Sequence, residues 1–265
     1  MNFSQSELVS LLKREDFTPV YRQADELRRR AVGEEIRIRA LLEFSNHCKR
    51  SCRYCGLNCR NTSLPRFRMT PDEIVDTAVQ AAEAGYQTIV LQSGEDPWYT
   101  AECIGEIVRR IKRDHPIAVT LSCGEFPAGV YAYWKECGAD RYLLKHETSD
   151  PALYASLHPD SNLEERVRCP RDIKAAGLET GGGFMIGVPG QTLETVAGDL
   201  LLLQELSCDM AGIGPFIPSP GTPLAGEKAG STELTCRAVA LARLLLPNAN
   251  LPATTALGVL DREDK

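Results

Sequence analysis

Short apolar runs rich in β-branched residues alternate with amphipathic stretches along most of this chain. The runs predicted as strands are residues 36–44, 87–93, 117–123, 140–146, 180–187, 210–216 and 251–257. Between them, apolar residues recur at helical spacing, and Thr70 followed by Pro71 and Glu73 has the form of a helix start. Strands that alternate with helices are typical of a parallel sheet with helical crossovers. The pattern therefore predicts an α/β barrel.

The same pattern predicts how the chain is divided. Two helices are expected in residues 1–34, and residues 35–265 are expected to form the barrel. A closed (β/α) barrel has eight strands, so seven runs predict a barrel that is incomplete at its C-terminus. No repeat or linker marks a second domain, and 265 residues suit one α/β domain.

Composition narrows the functional classes. The net charge of -6, from 30 Lys and Arg against 36 Asp and Glu, provides no general attraction to nucleic acid or to an anionic membrane surface. Ten cysteines would suit a disulfide framework in a small secreted chain, but this chain is large and starts without a secretion signal. No apolar run reaches the roughly 18 residues that span a bilayer. We expect a protein of the reducing cytoplasm without a membrane segment.

Three cysteines follow the first predicted strand directly. Cys48, Cys52 and Cys55 have the spacing C-x3-C-x2-C. Such uneven spacing suits a compact loop around a cluster of several metal atoms. If the protein supplies no fourth ligand, one metal keeps an open coordination position where a ligand can bind. The spacing alone also permits a structural zinc site, or a closed electron-transfer cluster with Cys59 as fourth ligand.

Polar side chains follow the other predicted strands. In parallel α/β folds the reactive groups collect at the carboxyl ends of strands. The segments at these ends are residues 92–96, 122–123, 145–148, 187–191 and 215–218, and Thr254 and Thr255 lie in the last run. The pattern therefore predicts one site at that edge of the sheet.

Several of these segments resemble a known family. Residues 48–55 resemble the signature of the radical S-adenosylmethionine (SAM) superfamily, and the flanking residues 43–46 (EFSN) and 54–57 (YCGL) resemble its HydE family of [FeFe]-hydrogenase maturases. Further similar segments, in the same order, are residues 91–96, 143–148, 212–218 and 252–256. The resemblance covers nearly the whole chain, and biotin synthase and methylornithine synthase are relatives of that family.

The resemblance implies a radical SAM barrel of the (β/α) TIM type with a [4Fe-4S] cluster. Cys48, Cys52 and Cys55 would hold three of its irons, and the fourth iron would bind the amino and carboxylate groups of SAM. One electron from such a cluster cleaves SAM to methionine and a 5'-deoxyadenosyl radical. The chemistry belongs to the cofactor, while the protein supplies orientation and a shielded cavity.

The resemblance also implies which side chains bind SAM. Tyr54 is expected against the adenine, Ser93 and Glu147 at polar groups, and Arg166 at the carboxylate. An arginine suits a carboxylate because its fork donates two parallel hydrogen bonds. Lys145 occupies a position where the family usually has arginine, so it keeps the charge but loses the fork.

Gln92, Thr254 and Thr255 are expected to face the substrate inside the barrel. For the HydE family, this implies radical attack on a small molecule or iron complex during assembly of the hydrogenase active site (the H-cluster). Expected partners are an electron donor such as ferredoxin or flavodoxin, a tyrosine-cleaving radical SAM maturase and a GTPase scaffold. Two alternatives stay open: another radical SAM reaction of the biotin-synthase and methylornithine-synthase type, and a truncated, inactive iron-sulfur protein.

Other residues permit more than one interpretation. Six basic side chains surround the cysteines, namely Lys49, Arg50, Arg53, Arg60, Arg66 and Arg68. They either face solvent or compensate the charge of thiolates and anionic ligands. The consecutive glycines 181–183 are interpreted as a place where backbone approaches a ligand. His158 is expected at the surface.

Overall fold

The computed structural model describes residues 2–260, apart from the side chain of Asp114. Met1 and residues 261–265, the last of the predicted barrel, lie outside the described residues. The strands are β1 (Ala40–Ser45), β2 (Thr88–Ser93), β3 (Ala118–Ser122), β4 (Arg141–Leu143), β5 (Glu179–Ile186) and β6 (Met210–Pro215). The helices are α1 (Gln5–Leu12), α2 (Thr18–Ala31), α3 (Pro71–Glu83), α4 (Ala101–Asp114), α5 (Ala128–Glu136), α6 (Pro151–Leu157), α7 (Leu163–Ala175), α8 (Leu193–Glu205), α9 (Thr232–Leu245) and α10 (Thr255–Leu260).

The six strands form one parallel sheet in chain order, with helices in every connection. Gln92 of β2 lies beside Glu43 of β1 and Ser122 of β3. This register brings the carboxyl ends of the strands to one edge, as a (β/α) barrel wall requires. The predicted α/β class is confirmed. No helix within residues 2–260 has both the length and the apolar character needed to cross a membrane.

The seventh predicted strand is wrong. In the described part of the chain, residues 251–257 join no sheet, and only Asn250 makes an isolated bridge to Met210. Pro252 has no N–H to donate to a ladder. The chain then turns into α10, where the amide of Leu257 donates to the carbonyl of Thr254 over 3.1 Å.

The first strand is shorter than predicted. It begins at Ala40, whose partner in β2 is Ile89. Within residues 2–260 the preceding residues 36–39 have no partner strand, and Ile36 and Ile38 are 90% and 71% exposed. Apolar, β-branched residues favour a strand only when a neighbour supplies the ladder and the packing.

Helix starts agree well with the sequence because their signals are local. Thr70 and Glu73 form a capping box at α3, and Thr100 and Asn162 cap α4 and α7. Helix α6 was not predicted, although Asp150 caps it and a proline follows in the first turn, and α10 begins where a strand was predicted.

The helices cover the sheet with two apolar clusters. One lies between β1–β4 and the helices α3, α4, α5 and α7, and the other between β5, β6 and the helices α1, α2, α8 and α9. The two N-terminal helices bury Leu8, Leu12 and Val20 against α8 and α9. Burying each such side chain stabilises the fold by about 1.5–3 kcal/mol. Helices α1 and α2 thus share a core with the barrel wall, and the division of the chain into residues 1–34 and 35–265 stays a prediction.

Candidate functional site

The cysteines lie in an irregular loop, residues 46–68, that follows β1. The guanidinium of Arg66 is half-buried in this loop and donates to four backbone carbonyls. The acceptors are Asn46, Leu57, Asn58 and Asn61, the last three at 2.9, 2.8 and 3.1 Å. A planar fork with five donors suits such a set of acceptors. Arg66 therefore holds both ends of the cysteine segment together.

Arg50 joins the cysteine loop to the loops that follow β2 and β3. Its Nε donates to Glu95 over 2.7 Å, and its terminal nitrogens donate to Glu125 over 2.8 Å and to the carbonyl of Asp160 over 2.9 Å. The side chains of both glutamates are less than a tenth exposed. Removing one partner of such a buried pair leaves an uncompensated charge and typically costs about 3–5 kcal/mol.

Gly94 allows the cysteine loop to approach the end of β2. A Cβ at this position would lie 2.3 Å from the carbonyl oxygen of His47 and 2.7 Å from Cβ of Cys48. The amides of Arg50 and Glu95 point at the sulfur of Cys48, at 3.4 and 3.3 Å. Peptide N–H groups directed at a sulfur stabilise its thiolate.

The three thiols are partly buried, whereas Cys59 is exposed. Burial raises the pKa of Cys48, Cys52 and Cys55, in the case of Cys52 to about 12. Thiolates at these positions need a metal or cations beside them. In the described residues, no group of three His, Cys, Asp or Glu side chains converges as a site for one metal ion. A polynuclear cluster has no such requirement, because each thiolate binds a different metal atom. Three thiols on one loop, with N–H donors to one of them, fit an iron-sulfur cluster.

Tyr54, between the second and third cysteines, packs on an apolar cluster at the ends of β5 and β6. The buried members of this cluster are Leu153, Leu157, Met185, Val188, Phe216 and Leu224. The hydroxyl of Tyr54 lies 3.1 Å from Nε2 of His158. His158 is only 1% exposed, so its expected surface position is wrong. No pattern in the sequence pointed to its partner Tyr54, which is 104 residues away.

Arg166 lies in α7 and is also buried. Its Nε lies 2.8 Å from Glu125 and 3.2 Å from the hydroxyl of Tyr154. Its terminal nitrogens have no hydrogen-bond partner among residues 2–260, and no ion pair with Glu147 is formed there. The side chain is thus fixed at Nε, with its outer nitrogens left for a ligand.

Glu147 has a left-handed backbone, with φ at 65°. Hydrogen bonds hold this conformation: its amide donates to Gly183 over 3.1 Å, and the amide of Met185 donates to its carbonyl over 3.3 Å. The ammonium of Lys145 lies 3.2 Å from Oε2. That oxygen is buried and has no well-directed hydrogen bond within the described chain. A strained backbone that carries an unsatisfied carboxylate oxygen is a common feature of ligand sites.

The remaining residues that the sequence predicts for the site differ in how deeply they are buried. Ser93 is half-buried and donates to the carbonyl of Gly94 over 2.8 Å, and Gln92 is half-buried in β2. Oγ1 of Thr254 is buried and unpaired within residues 2–260. Thr255 is exposed in the first turn of α10 instead of lying in a strand.

The glycines of β5 serve packing between strands. A Cβ on Gly183 would lie 2.2 Å from the carbonyl oxygen of Gly212, and one on Gly182 would lie 2.8 Å from the sulfur of Cys208. A Cβ at either position would therefore collide with β6 or with the segment after α8, so glycine allows the close packing here. The approach of a ligand to residues 181–183 stays a prediction.

Sequence reasoning missed the charged network around the cysteines. Glu95 and Glu125 lie 45 and 75 residues from Arg50, their common partner. Glu95 belongs to a strand-end segment that the sequence did mark as polar, and Glu125 follows the marked residues 122–123 directly. A search for acidic residues at those ends, able to pair with the basic loop, would have found both.

Comparisons with known proteins agree with this geometry. The family model described as "Radical SAM superfamily" matches residues 42–203. The chain is 54% identical over 241 residues to "[FeFe] hydrogenase maturase subunit HydE" of Thermotoga maritima, covering 91% of this chain and 69% of that protein. It is 27% identical to biotin synthase of Magnetococcus marinus, over 90% of this chain and 75% of that one. The crystal structure of methylornithine synthase (PylB) superposes with a TM-score of 0.88 at 28% identity, covering 96% of this chain and 76% of that one. This chain belongs to the radical SAM superfamily and, within it, to the HydE family.

Proposed function

We propose that this protein is an iron-sulfur enzyme that reductively cleaves SAM and takes part in assembling the active site of [FeFe]-hydrogenase. The observation that carries the proposal is the meeting of three thiols with Glu147 at one edge of the sheet, where the buried Oε2 of the glutamate faces Lys145 but accepts no well-directed hydrogen bond within the described chain. A metal-binding loop alone would not require Glu147 to keep a strained backbone and an unsatisfied oxygen.

Cys48, Cys52 and Cys55 would hold a [4Fe-4S] cluster. When bound, this cluster supplies the electron that cleaves SAM to methionine and a 5'-deoxyadenosyl radical. The chain's own contribution is to hold the loop in shape through Arg50 and Arg66, and to direct two amides at the sulfur of Cys48.

The SAM-binding roles follow from the chemistry of the side chains. Arg166 offers two terminal nitrogens, without hydrogen-bond partners in the described chain, to the carboxylate, because Glu125 and Tyr154 contact its Nε. Tyr54 and the apolar cluster beside it suit a flat, weakly polar adenine. Glu147 would accept from a hydroxyl or ammonium group of SAM.

Two further side chains would adjust the SAM site. Ser93 lies at the carboxyl end of β2, at the same edge of the sheet as Glu147, and would bind a polar group of SAM. Lys145 would help to hold the side chain of Glu147 in place, since its ammonium lies 3.2 Å from the carboxylate.

The substrate would occupy the inner side of the wall, near Gln92, Thr254 and Thr255. Thr254 has a buried hydroxyl oxygen without a partner in the described chain, which suits a polar substrate group. As the resemblance to the HydE family implies, the substrate would be a small molecule or iron complex. The partners would be a ferredoxin or flavodoxin, a tyrosine-cleaving maturase and a GTPase scaffold, in a reducing cytoplasm.

Anaerobic reconstitution with iron and sulfide, followed by reduction in the presence of SAM, tests the first step. We expect release of 5'-deoxyadenosine that is lost in Cys52→Ser and kept in Cys59→Ser. Loss in both variants would indicate a closed cluster with four cysteines and contradict the proposal.

A second experiment tests the biological role. Expression in a strain that lacks its own HydE should restore hydrogenase activity, and Cys52→Ser should not. SAM cleavage without restored hydrogenase activity would contradict the role in hydrogenase assembly and favour a reaction of the biotin-synthase or methylornithine-synthase type.

A further inference from the structure

His158 lies between two tyrosines at the end of α6, beside the cysteine loop. Its ring stacks on Tyr154, with centroids 4.1 Å apart and planes at 20°, and meets the ring of Tyr54 edge-on at 5.3 Å. The imidazole is buried, and both of its nitrogens have partners. A buried ring with two directed contacts can hold only one orientation.

The two contacts determine the tautomer of His158. Nδ1 lies 3.3 Å from the carbonyl oxygen of Tyr154, which can only accept, so Nδ1 carries the proton. Nε2 then accepts from the hydroxyl of Tyr54 over 3.1 Å. Burial, aided by the charge of Arg166, lowers the pKa of His158 to about 4. The imidazole is therefore neutral at physiological pH and keeps its acceptor on Tyr54.

The position of His158 is fixed from the cysteine loop as well. The amide of Arg53 donates to the carbonyl of Leu157 over 2.9 Å, and the amide of Ser51 donates to the carboxylate of Asp160 over 2.9 Å. These bonds attach α6 and the turn after it to the backbone on either side of Cys52. Movement of the histidine relative to the loop is thereby restricted.

Tyr154 continues the contact series to the other side of the proposed SAM site. Its ring stacks on His158, and its hydroxyl accepts from Nε of Arg166. The side chain proposed for adenine and the one proposed for the carboxylate are thus joined through His158 and Tyr154. Nothing in the proposed chemistry requires His158 to touch SAM itself.

We propose that His158 is a positioning residue that orients the ring of Tyr54 for the adenine of SAM. This inference rests on the proposed function. The hydroxyl of Tyr54 has one partner in the described chain, and without it the ring would rotate more freely in the loop. SAM would then bind more weakly, while the rate of the step after binding would change little.

Three substitutions separate this role from a general packing role. His158→Gln places an acceptor near the position of Nε2 and can keep the hydrogen bond from Tyr54. His158→Asn keeps a donor near the position of Nδ1 but is too short to accept from the Tyr54 hydroxyl. Tyr54→Phe removes the hydroxyl alone. Equilibrium dialysis of SAM with the reconstituted protein should give a dissociation constant about three- to ten-fold higher for His158→Asn and Tyr54→Phe, the size of one hydrogen bond. The dissociation constant of His158→Gln should stay within about two-fold of the wild-type value. In turnover, the KM for SAM of His158→Asn and Tyr54→Phe should rise while their kcat does not fall.

The double variant gives the sharpest comparison. His158→Asn with Tyr54→Phe should bind SAM no more weakly than either single variant, because both remove the same contact. The positioning role would be overturned if the two increases in the dissociation constant multiplied in the double variant, or if His158→Gln bound SAM as weakly as His158→Asn. If the wild type does not bind SAM at all, the proposed function and this role fail together.

A spectroscopic measurement on the full chain does not depend on the cluster or on SAM. The chain has four histidines, so ¹⁵N-labelled imidazole signals can be assigned by single substitutions. We expect a neutral imidazole protonated at Nδ1, with an Nε2 signal that shifts in Tyr54→Phe. An Nε2-protonated ring, or no shift in Tyr54→Phe, would overturn the inference even where the His158 variants fail to fold.

Discussion

A buried histidine and aspartate behind β4 make stability depend on pH in a specific way. His146 and Asp199 are at most 1% exposed, with Nε2 of the imidazole 3.9 Å from the carboxylate. Neither imidazole nitrogen has a hydrogen-bond partner within residues 2–260, and the carboxylate accepts from the amide of Ser149. Burial, aided by the charges of Lys145 and Arg166, lowers the pKa of His146 to about 3. Burial raises the pKa of Asp199 to about 7.

The two shifts have opposite consequences. The folded-state pKa of Asp199 lies above its ordinary value of 3.8, so between about pH 4 and 7 the folded chain holds a proton that the unfolded chain lacks. Its contribution to stability therefore falls as pH rises. The folded-state pKa of His146 lies below 6.5, so the unfolded chain gains a proton first and stability falls as pH drops. Each slope is about 1.4 kcal/mol per pH unit, and the two cancel between about pH 4 and 6.5.

Single substitutions should uncover the two slopes. Relative to the wild type, the free energy of unfolding of Asp199→Asn should rise by about 2 kcal/mol from pH 5 to pH 7, and that of His146→Gln should fall by a similar amount. Urea unfolding followed by circular dichroism at half-unit pH steps measures both. Asp76→Asn, at an exposed position on α3, is the matched control and should follow the wild type. If the Asp199→Asn curve also runs parallel to the wild type, burial does not control this carboxyl and the reasoning is refuted.

Two further predictions concern the cysteine loop and the strained glutamate. Arg66→Ala removes the donors of four loop carbonyls, and each hydrogen bond to a charged group is worth about 1.5–3 kcal/mol, so the reconstituted variant should hold less than half the iron of the wild type. Arg60→Ala changes an exposed residue of the same loop and should keep its iron. Full iron content in Arg66→Ala would contradict this account. Glu147→Gly should unfold with a free energy about 0.5–1 kcal/mol higher than Glu147→Ala, because glycine tolerates a φ of 65°. Equal urea midpoints for these two variants would show that the backbone there is not strained.

The parts of the fold that the sequence predicted well depend on neighbours along the chain. Thr70 and Glu73 form their capping box within one helical turn. The apolar residues 251–257 also read as a strand locally, yet the chain reaches β6 only through Asn250 and then forms a helix. Whether such a run is a strand depends on a partner's register, which a single sequence does not contain.

The candidate site shows the same limit. The spacing of the cysteines is local, and the loop was placed correctly after β1. The partners of Arg50, in contrast, come from loops 45 and 75 residues further on. His158 is polar, and polarity alone predicted a surface position. The ring can be buried because the hydroxyl of Tyr54 donates a hydrogen bond to it, and only the tertiary structure brings these two residues together.

The structure also separates the basic residues of the loop into different roles. Arg50 is paired with two buried carboxylates, and Arg68 is paired with Asp96 at 2.7 Å. Their charges are therefore largely compensated within the protein. Arg53 and Arg60 are exposed to solvent. Neither exposure to solvent nor compensation of thiolates and anionic ligands therefore describes all six basic side chains.

Arg66 differs from the rest because, in the described chain, its partners are neutral carbonyl oxygens. Its full positive charge thus remains available to the loop it folds. Burial raises the pKa of Cys55, and the charge of Arg66 acts in the opposite direction, as that of Arg166 does for Cys52. The same guanidinium therefore shapes the loop and favours the thiolate that a cluster requires. A lysine at position 66 would keep the charge but lose the planar fork, so it would favour the thiolate in a loop that no longer holds its shape.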